Sequence, residues 1–251
     1  MSANTDFQQN GFAFFPKILS SIEVDHYSKL IDEMTAERGE NRWAEADGIG
    51  KNEKLWPIIY NKNILGALNE LGSVSPKYLH HSDVHVNYDS IGWHRDTARS
   101  ALNVKTKSNL GSLRVAIYLQ SKKTTDFKMG VIPKSHRNEP ILNFCEYKTW
   151  GPYTRFSKEL PRTYLFNKPQ WFDIDAGDCL IFDTRILHTG TRPSGPKTSL
   201  YLVYGENDNE LCDIHYDYIH NQRKDLGYET LDPKLEKILS KENLLHERLC
   251  K

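Results

Sequence analysis

The stretch Trp171–Phe182, "WFDIDAGDCLIF", reads as two short extended runs on either side of the turn-forming "DAGD". Aromatic and β-branched residues bounded by Asp and Gly are the signature of strands joined by a turn. Working outward, the same texture recurs in "DVHVNY" (83–88), "LRVAIYLQ" (113–120) and "SLYLVYG" (199–205). From Tyr78 to about Tyr204 the chain therefore reads as an all-β core. Within it, "FCEYKTWGPYTRFSKELPRTYLFNKPQ" (144–170) has no clear period and several aromatics, and reads as a long insertion over the sheet of the kind that lines sites.

Helical patterns flank this core. "SSIEVDHYSKLIDEM" offers Ser20 as N-cap and Glu23 three residues on, a capping box. Val24, Tyr27, Leu30, Ile31 and Met34 follow at helical spacing, an apolar stripe that packs on a sheet. Near the other end, Asp232 is an N-cap, Pro233 takes the first helical position, and Leu235, Ile238 and Leu239 share one side.

Bulk composition narrows the function classes. The 251 residues suit one core, since a single hydrophobic core stops growing at roughly 250–300 residues. With 38% hydrophobic, 26% charged and 11% aromatic residues, the chain is too apolar to be disordered and too polar for a membrane protein. Lys plus Arg and Asp plus Glu balance at 33 each, so no global field recruits nucleic acid or an anionic membrane. No run approaches the ~20 apolar residues of a membrane span, and "MSANTDFQQNGFAFF" has no leader pattern, so a cytoplasmic location is expected. Cys145, Cys179, Cys212 and Cys250 form no C-x-x-C pair and are expected as free thiols.

Chemistry concentrates in "GWHRDTARS" (92–100). On an extended segment His94 and Asp96 point to one face and can present an imidazole nitrogen and a carboxylate oxygen to one cation. A two-histidine, one-carboxylate iron site needs a second histidine and leaves three positions open. His188, in "DTRILHTGTRPSGPKTSLYLVYG", follows a strand and precedes another, and is the best partner. Alone, H-x-D is a weak signal, because polar residues at strand ends commonly satisfy turn backbone groups.

The segments taken together resemble the phytanoyl-CoA dioxygenase-like (PhyH-like) family of Fe(II)- and 2-oxoglutarate-dependent oxygenases. "FQQNGFAFFPKILSSIEV" is similar to that family's first strand and helix, and "IGWHRD" to its H-x-D segment. "MGVIPKSHR" resembles its G-x-x-x-P-G-S-H turn, with Lys134 in place of glycine, and "AGDCLIFDTRILHTG" resembles the strand pair bearing its distal histidine. The resemblance implies a double-stranded β-helix, a jelly roll of cupin type. It implies one domain over 1–251: a helical part at about 1–74, the roll at about 75–206 and a helical extension at about 207–251.

Carried onto this chain, the likeness makes His94, Asp96 and His188 the iron ligands. The far carboxylate of 2-oxoglutarate needs a fixed cation, often with a hydroxyl beside it. The family usually has Arg about eleven residues after the distal histidine, where this chain has Ser199. Lys197 lies two residues before Ser199, so the ammonium and hydroxyl would share one face, similar to the R-x-S pair of other oxygenases of this fold. Arg192 and Arg114 are alternatives for the anchor, and Asn87 and Tyr88 could hydrogen-bond the co-substrate. The implied reaction consumes O2 and hydroxylates a small molecule, releasing succinate and CO2. Desaturation and ring formation stay open, and Arg95, Arg99 and Arg192 are compatible with an anionic substrate.

Rival readings use the same residues. His81, Asp83 and His85 alternate on one strand face, but their spacing of about 6.5–7 Å is wide for one cation, and they read as solvent-facing sheet residues. His136 reads as a turn residue, and His215 and His220 have no supporting pattern. Trp93, Trp150 and Trp171 could line the pocket. A non-oxidative isomerase or a binding protein on the same barrel would use the same metal ligands without needing the basic anchor. Radical halogenation requires the carboxylate ligand to be missing, and Asp96 is present.

Overall fold

The computed structural model describes residues 3–88, 92–104, 110–137 and 168–249. In chain order the strands are β1 (Phe12–Phe15), β2 (Trp43–Ala46), β3 (Lys77–Val86), β4 (Leu113–Tyr118), β5 (Lys128–Val131), β6 (Gln170–Asp173), β7 (Cys179–Asp183), β8 (His188–Gly190) and β9 (Thr198–Gly205). The helices are α1 (Ala3–Asn10), α2 (Ser21–Arg38), α3 (Lys62–Glu70), α4 (Glu210–Asp217) and α5 (Pro233–Lys241). A six-stranded sheet runs β1-β7-β4-β9-β3-β2 and a three-stranded sheet β6-β5-β8, every pairing antiparallel. The architecture is mainly β with flanking helices, a jelly roll.

Alternation along the central strands sorts residues into two layers. Val115, Ile117, Ile181, Leu200 and Leu202 point outward and are fully buried beneath α2, α3 and α5 through Tyr27, Ile31, Ile64, Leu68, Leu235 and Leu239. Each such aliphatic side chain contributes roughly 1.5–3 kcal/mol by leaving water. Ala116, Tyr118, Leu180, Phe182 and Tyr201 point inward and meet Met129 and Val131 of the small sheet. Both faces of β4 are buried, so its one charge, Arg114, must be paired inside the protein.

The terminal signals act as read. Ser20 and Glu23 cap α2 reciprocally, and Asp232 caps α5 with Pro233 in its first turn. Two features depart from the sequence reading. Besides β1, the first strand that the resemblance implied, the N-terminal region supplies β2, so it forms both edges of the large sheet. The turn in "WFDIDAGDCLIF" makes no hairpin: β6 and β7 belong to different sheets, so "DAGD" carries the chain from one layer to the other.

Two backbone irregularities matter for the site. From Tyr78 to Ser82, β3 takes four steps while β9 takes two, from Tyr204 to Leu202, and His80 lies inside this bulge at φ 49°. Lys134 has φ 67°, the left-handed conformation that glycine adopts most readily, so lysine occupies the same kind of turn. Cys179 and Cys212 are free and buried; Cys145, Cys250, Trp150 and nearly all of the 144–170 insertion lie outside the described residues. Among the described residues no helix is long and apolar enough to cross a membrane.

Candidate metal centre and its cavity

His94 and His188 form an antiparallel bridge, each backbone N–H donating to the other's carbonyl at 3.1 Å. Their rings stand 4.2 Å apart between centroids. The Asp96 N–H donates to the Thr184 carbonyl at 2.9 Å, which brings the carboxylate beneath both imidazoles. Asp96 Oδ1 lies 3.4 Å from His94 Nε2, and Oδ2 lies 3.6 Å from His188 Nε2. One ligand-type atom from each of the three residues lies within 4.8 Å of the others.

The outer partners of the imidazoles are backbone carbonyls two residues upstream. His94 Nδ1 meets the Gly92 carbonyl at 2.8 Å, and His188 Nδ1 meets that of Ile186 at 3.1 Å. A carbonyl only accepts, so each Nδ1 carries a proton and each Nε2 is the nitrogen turned toward Asp96. Burial, with His94 alongside, pushes the His188 imidazole down to about 3 and keeps it neutral. Burial would raise the Asp96 carboxyl, but His188, the Arg114 guanidinium and His94 hold it well below the ordinary carboxylate range. Two imidazoles and a carboxylate facing one point are a donor set that suits a divalent transition metal.

A cavity of about 540 Å³ opens from these three residues. Lys197 lines it, buried, with Nζ 4.6 Å from the centre of the Phe127 ring and 3.5 Å from the Tyr88 carbonyl. Ser199 is fully buried and its Oγ meets no hydrogen-bond partner among the described residues. It pairs across the sheet with His85 on one side and Tyr118 on the other. An ammonium beside an unsatisfied buried hydroxyl is a cradle for a carboxylate.

The other residues singled out by the sequence divide cleanly. Asn87, at φ 51°, clamps Lys197: its N–H donates to the Lys197 carbonyl at 2.7 Å and its Oδ1 accepts from the Lys197 N–H at 2.9 Å. Its Nδ2 donates to the Asn41 carbonyl at 2.7 Å, so the amide serves the backbone. Tyr88 lines the cavity, packed on His85 with centroids 5.3 Å apart. Arg192 is exposed and away from the lining. Arg99 is also exposed, and buried Arg95 donates to the Ser135 carbonyl at 2.6 Å and to that of Arg185. None of these three arginines lines the cavity, whose basic residues are Arg114, Lys197 and Arg223. Trp93 and Trp171 pack on each other, 5.9 Å between centroids, and stay out of the cavity as well.

The reading of His81, Asp83 and His85 as solvent-facing is corrected. All three line the cavity, and His81 and Asp83 are buried. Their alternation does mark one strand face, but that face is the interior of the roll. His136 is buried against Gly11, where a Cβ would lie 2.3 Å from its Nδ1. His215 and His220 stack on His81 and His80, at 5.1 Å and 5.2 Å between centroids. The structure also places Ala44 and Ala46 of β2 and Ile219, Arg223, Asp225 and Leu226 of the C-terminal extension at the cavity.

No family model and no curated relative matches the chain. Among solved structures, the non-heme alpha ketoglutarate dependent carbocyclase SnoK from nogalamycin biosynthesis is similar at 19% identity and TM-score 0.60, over 80% of this chain and 82% of that one. HygX from Streptomyces hygroscopicus, with nickel and 2-oxoglutarate bound, is similar at 14% identity and TM-score 0.58, over 83% and 90% of the two chains. EctD from S. alaskensis, with 2-oxoglutarate and 5-hydroxyectoine, is similar at 16% identity and TM-score 0.55, over 82% and 76%. At such identities the likeness establishes the fold: this chain is a double-stranded β-helix built like those enzymes.

Proposed function

We propose that the chain is a non-haem Fe(II)- and 2-oxoglutarate-dependent oxygenase that hydroxylates a small molecule, with His94, Asp96 and His188 holding the metal and Lys197 and Ser199 holding the co-substrate. The observation that carries this reading is the convergence of His94, Asp96, His188 and the buried Lys197 on one cavity. The similarity of the fold to structures with nickel or iron and 2-oxoglutarate bound supports it. On the four segments that resemble it, the phytanoyl-CoA dioxygenase-like family is the finer placement, with the whole chain acting as one catalytic unit.

When bound, ferrous iron, 2-oxoglutarate and O2 supply oxidation of an unactivated C–H bond coupled to formation of succinate and CO2. The chain's own residues do the rest. The Gly92 and Ile186 carbonyls hold both Nδ1 atoms and so orient the rings with Nε2 toward the metal position. Lys197, fixed by Asn87, offers its ammonium to the far carboxylate, and Ser199 Oγ adds a hydrogen bond for which no group among the described residues competes. Phe127, Met129 and Tyr201 line the wall with apolar surface that excludes water. A cavity of about 540 Å³ has room for the co-substrate together with a small-molecule target.

A non-oxidative isomerase or binding module on this fold has no need of a buried lysine beside an unsatisfied hydroxyl, so the oxygenase reading is preferred. Asp96 occupies the position that a halogenase leaves empty. Anaerobic titration with ferrous iron and 2-oxoglutarate tests the assignment. The weak visible charge-transfer band of the chelate should develop and saturate, and oxygen uptake should then identify substrates. Metal binding with no band would return the protein to the non-oxidative class.

A further inference from the structure

Arg114 stands in the middle of β4, 5% exposed, and its guanidinium lies between two carboxylates. Nε is 3.5 Å from Asp96 Oδ2, and NH2 donates to Asp83 Oδ2. The third nitrogen, NH1, lies 2.7 Å from His81 Nε2. Arginine has only donors, so His81 Nε2 must be the acceptor, which puts the His81 proton on Nδ1. That nitrogen lies 2.9 Å from His215 Nε2 and donates to it. On the other side, the Tyr228 hydroxyl donates to Asp83 Oδ1 at 3.0 Å. The ring of Tyr201 closes the cage, 4.7 Å from Arg114 Cζ.

His215 and Tyr228 belong to the C-terminal extension, outside both sheets. We propose that Arg114 is the positioning residue for the Asp96 carboxylate, and that the extension, through His215–His81 and Tyr228–Asp83, holds Arg114 in that position. The extension is then a working part of the metal centre. This rests on the assignment of Asp96 as a metal ligand made above.

Three observations favour positioning over a purely structural ion pair. Asp83 alone would neutralise the guanidinium, yet the side chain is also turned so that Nε faces Asp96. The Asp96 carboxylate lies within 3.6 Å of His94, His188 and Arg114, and of these three only Arg114 has no lone pair to offer a metal. One guanidinium between two carboxylates leaves one net negative charge, the complement a cation requires. With Oδ2 engaged by Arg114, a single carboxylate oxygen is favoured for the metal, which keeps the remaining positions open.

The test is anaerobic titration of the metal-free protein with Co(II), whose d–d absorption reports the ligand set, with thermal melting as the check on folding. Asp96→Ala comes first. Loss of the band ties the metal to the three residues, whereas an unchanged band would overturn the functional reading itself, whatever Arg114 does. Given that loss, Arg114→Met should raise the Co(II) dissociation constant at least about tenfold and shift the band, as expected for an outer-sphere partner. Arg114→Lys should restore part of the affinity. Tyr228→Phe and His215→Phe should each weaken binding about fivefold, the equivalent of one lost hydrogen bond. A folded Arg114→Met protein with the wild-type constant and band overturns the positioning role. Should that variant fail to fold, Tyr228→Phe decides: wild-type Co(II) binding in it removes the extension from the metal centre.

Discussion

His94 and His188 lie directly opposite each other and exchange both backbone hydrogen bonds, so their separation is set by sheet geometry and not by side-chain packing. Two imidazoles from distant parts of the sequence are thereby held side by side by the backbone alone. Asp96, two residues on, is held by its own backbone bond to Thr184.

Asp96→Ala should therefore lose metal binding without losing the fold. Ligand binding to the native state raises stability by RT ln(1 + [L]/Kd), about 2.7 kcal/mol at a hundredfold excess over Kd. Adding Fe(II) or Mn(II) anaerobically should raise the melting temperature of the wild type and leave that of Asp96→Ala unmoved. Substrate-dependent succinate formation should vanish in the variant. Full activity would remove Asp96 from the mechanism.

Lys197→Met should raise the 2-oxoglutarate concentration for half-maximal rate roughly 10- to 100-fold, the value of one charge-assisted hydrogen bond. Ser199→Ala should have a smaller effect of the same sign. Arg192→Met, a change at an exposed residue away from the cavity, should leave the requirement where it is. The reverse ranking would move the anchor to Arg192.

Gly190→Ala probes the same end of the cavity by packing alone. A Cβ there would stand 2.7 Å from Phe127 Cε2, and Phe127 carries the Lys197 ammonium over its ring at 4.6 Å. The displaced ring should disturb Lys197, raising the 2-oxoglutarate requirement while Co(II) affinity stays at the wild-type value. Equal losses in both would mean that the methyl group distorts β8 itself.

Acid should destabilise the fold well above the range in which carboxylates protonate. Burial pushes His85, His136 and His220 each down to about 4, against 6.5 for a free imidazole. Between those values the unfolded chain binds protons that the folded one refuses. The stability that these neutral histidines permit is complete above about pH 6.5 and declines as pH falls toward 4, by at most about 1.4 kcal/mol per pH unit for each. Urea unfolding at pH 7.5 and pH 5 measures it, and equal free energies at the two would contradict the neutral assignments.

Local chemistry was legible in the sequence, and long-range register was not. Ser20 with Glu23 and Asp232 with Pro233 announce helix starts because a cap acts within one turn. The H-x-D pair and the later histidine stood out because their chemistry depends on residue type and short spacing. His81, Asp83 and His85 carried a readable alternation, but which face of β3 is interior depends on pairing with β9, over a hundred residues away. Arg114 did carry a signal: a charge inside "LRVAIY", a strand otherwise apolar on both faces, demands a buried partner. His215, His220 and Tyr228 were invisible because their partners come from β3 through tertiary packing alone.

The bulge in β3 inserts two residues relative to β9, an even number, and so preserves the parity of the strand across it. Were β3 to slip by one residue against β9, Val84 and Val86 would face the cavity and Asp83 and His85 would press into the greasy layer under the helices. The bulge is therefore where a change of chain length can be absorbed without moving the site, because the pairing of Ser82 with Leu202 fixes the face of every residue after it.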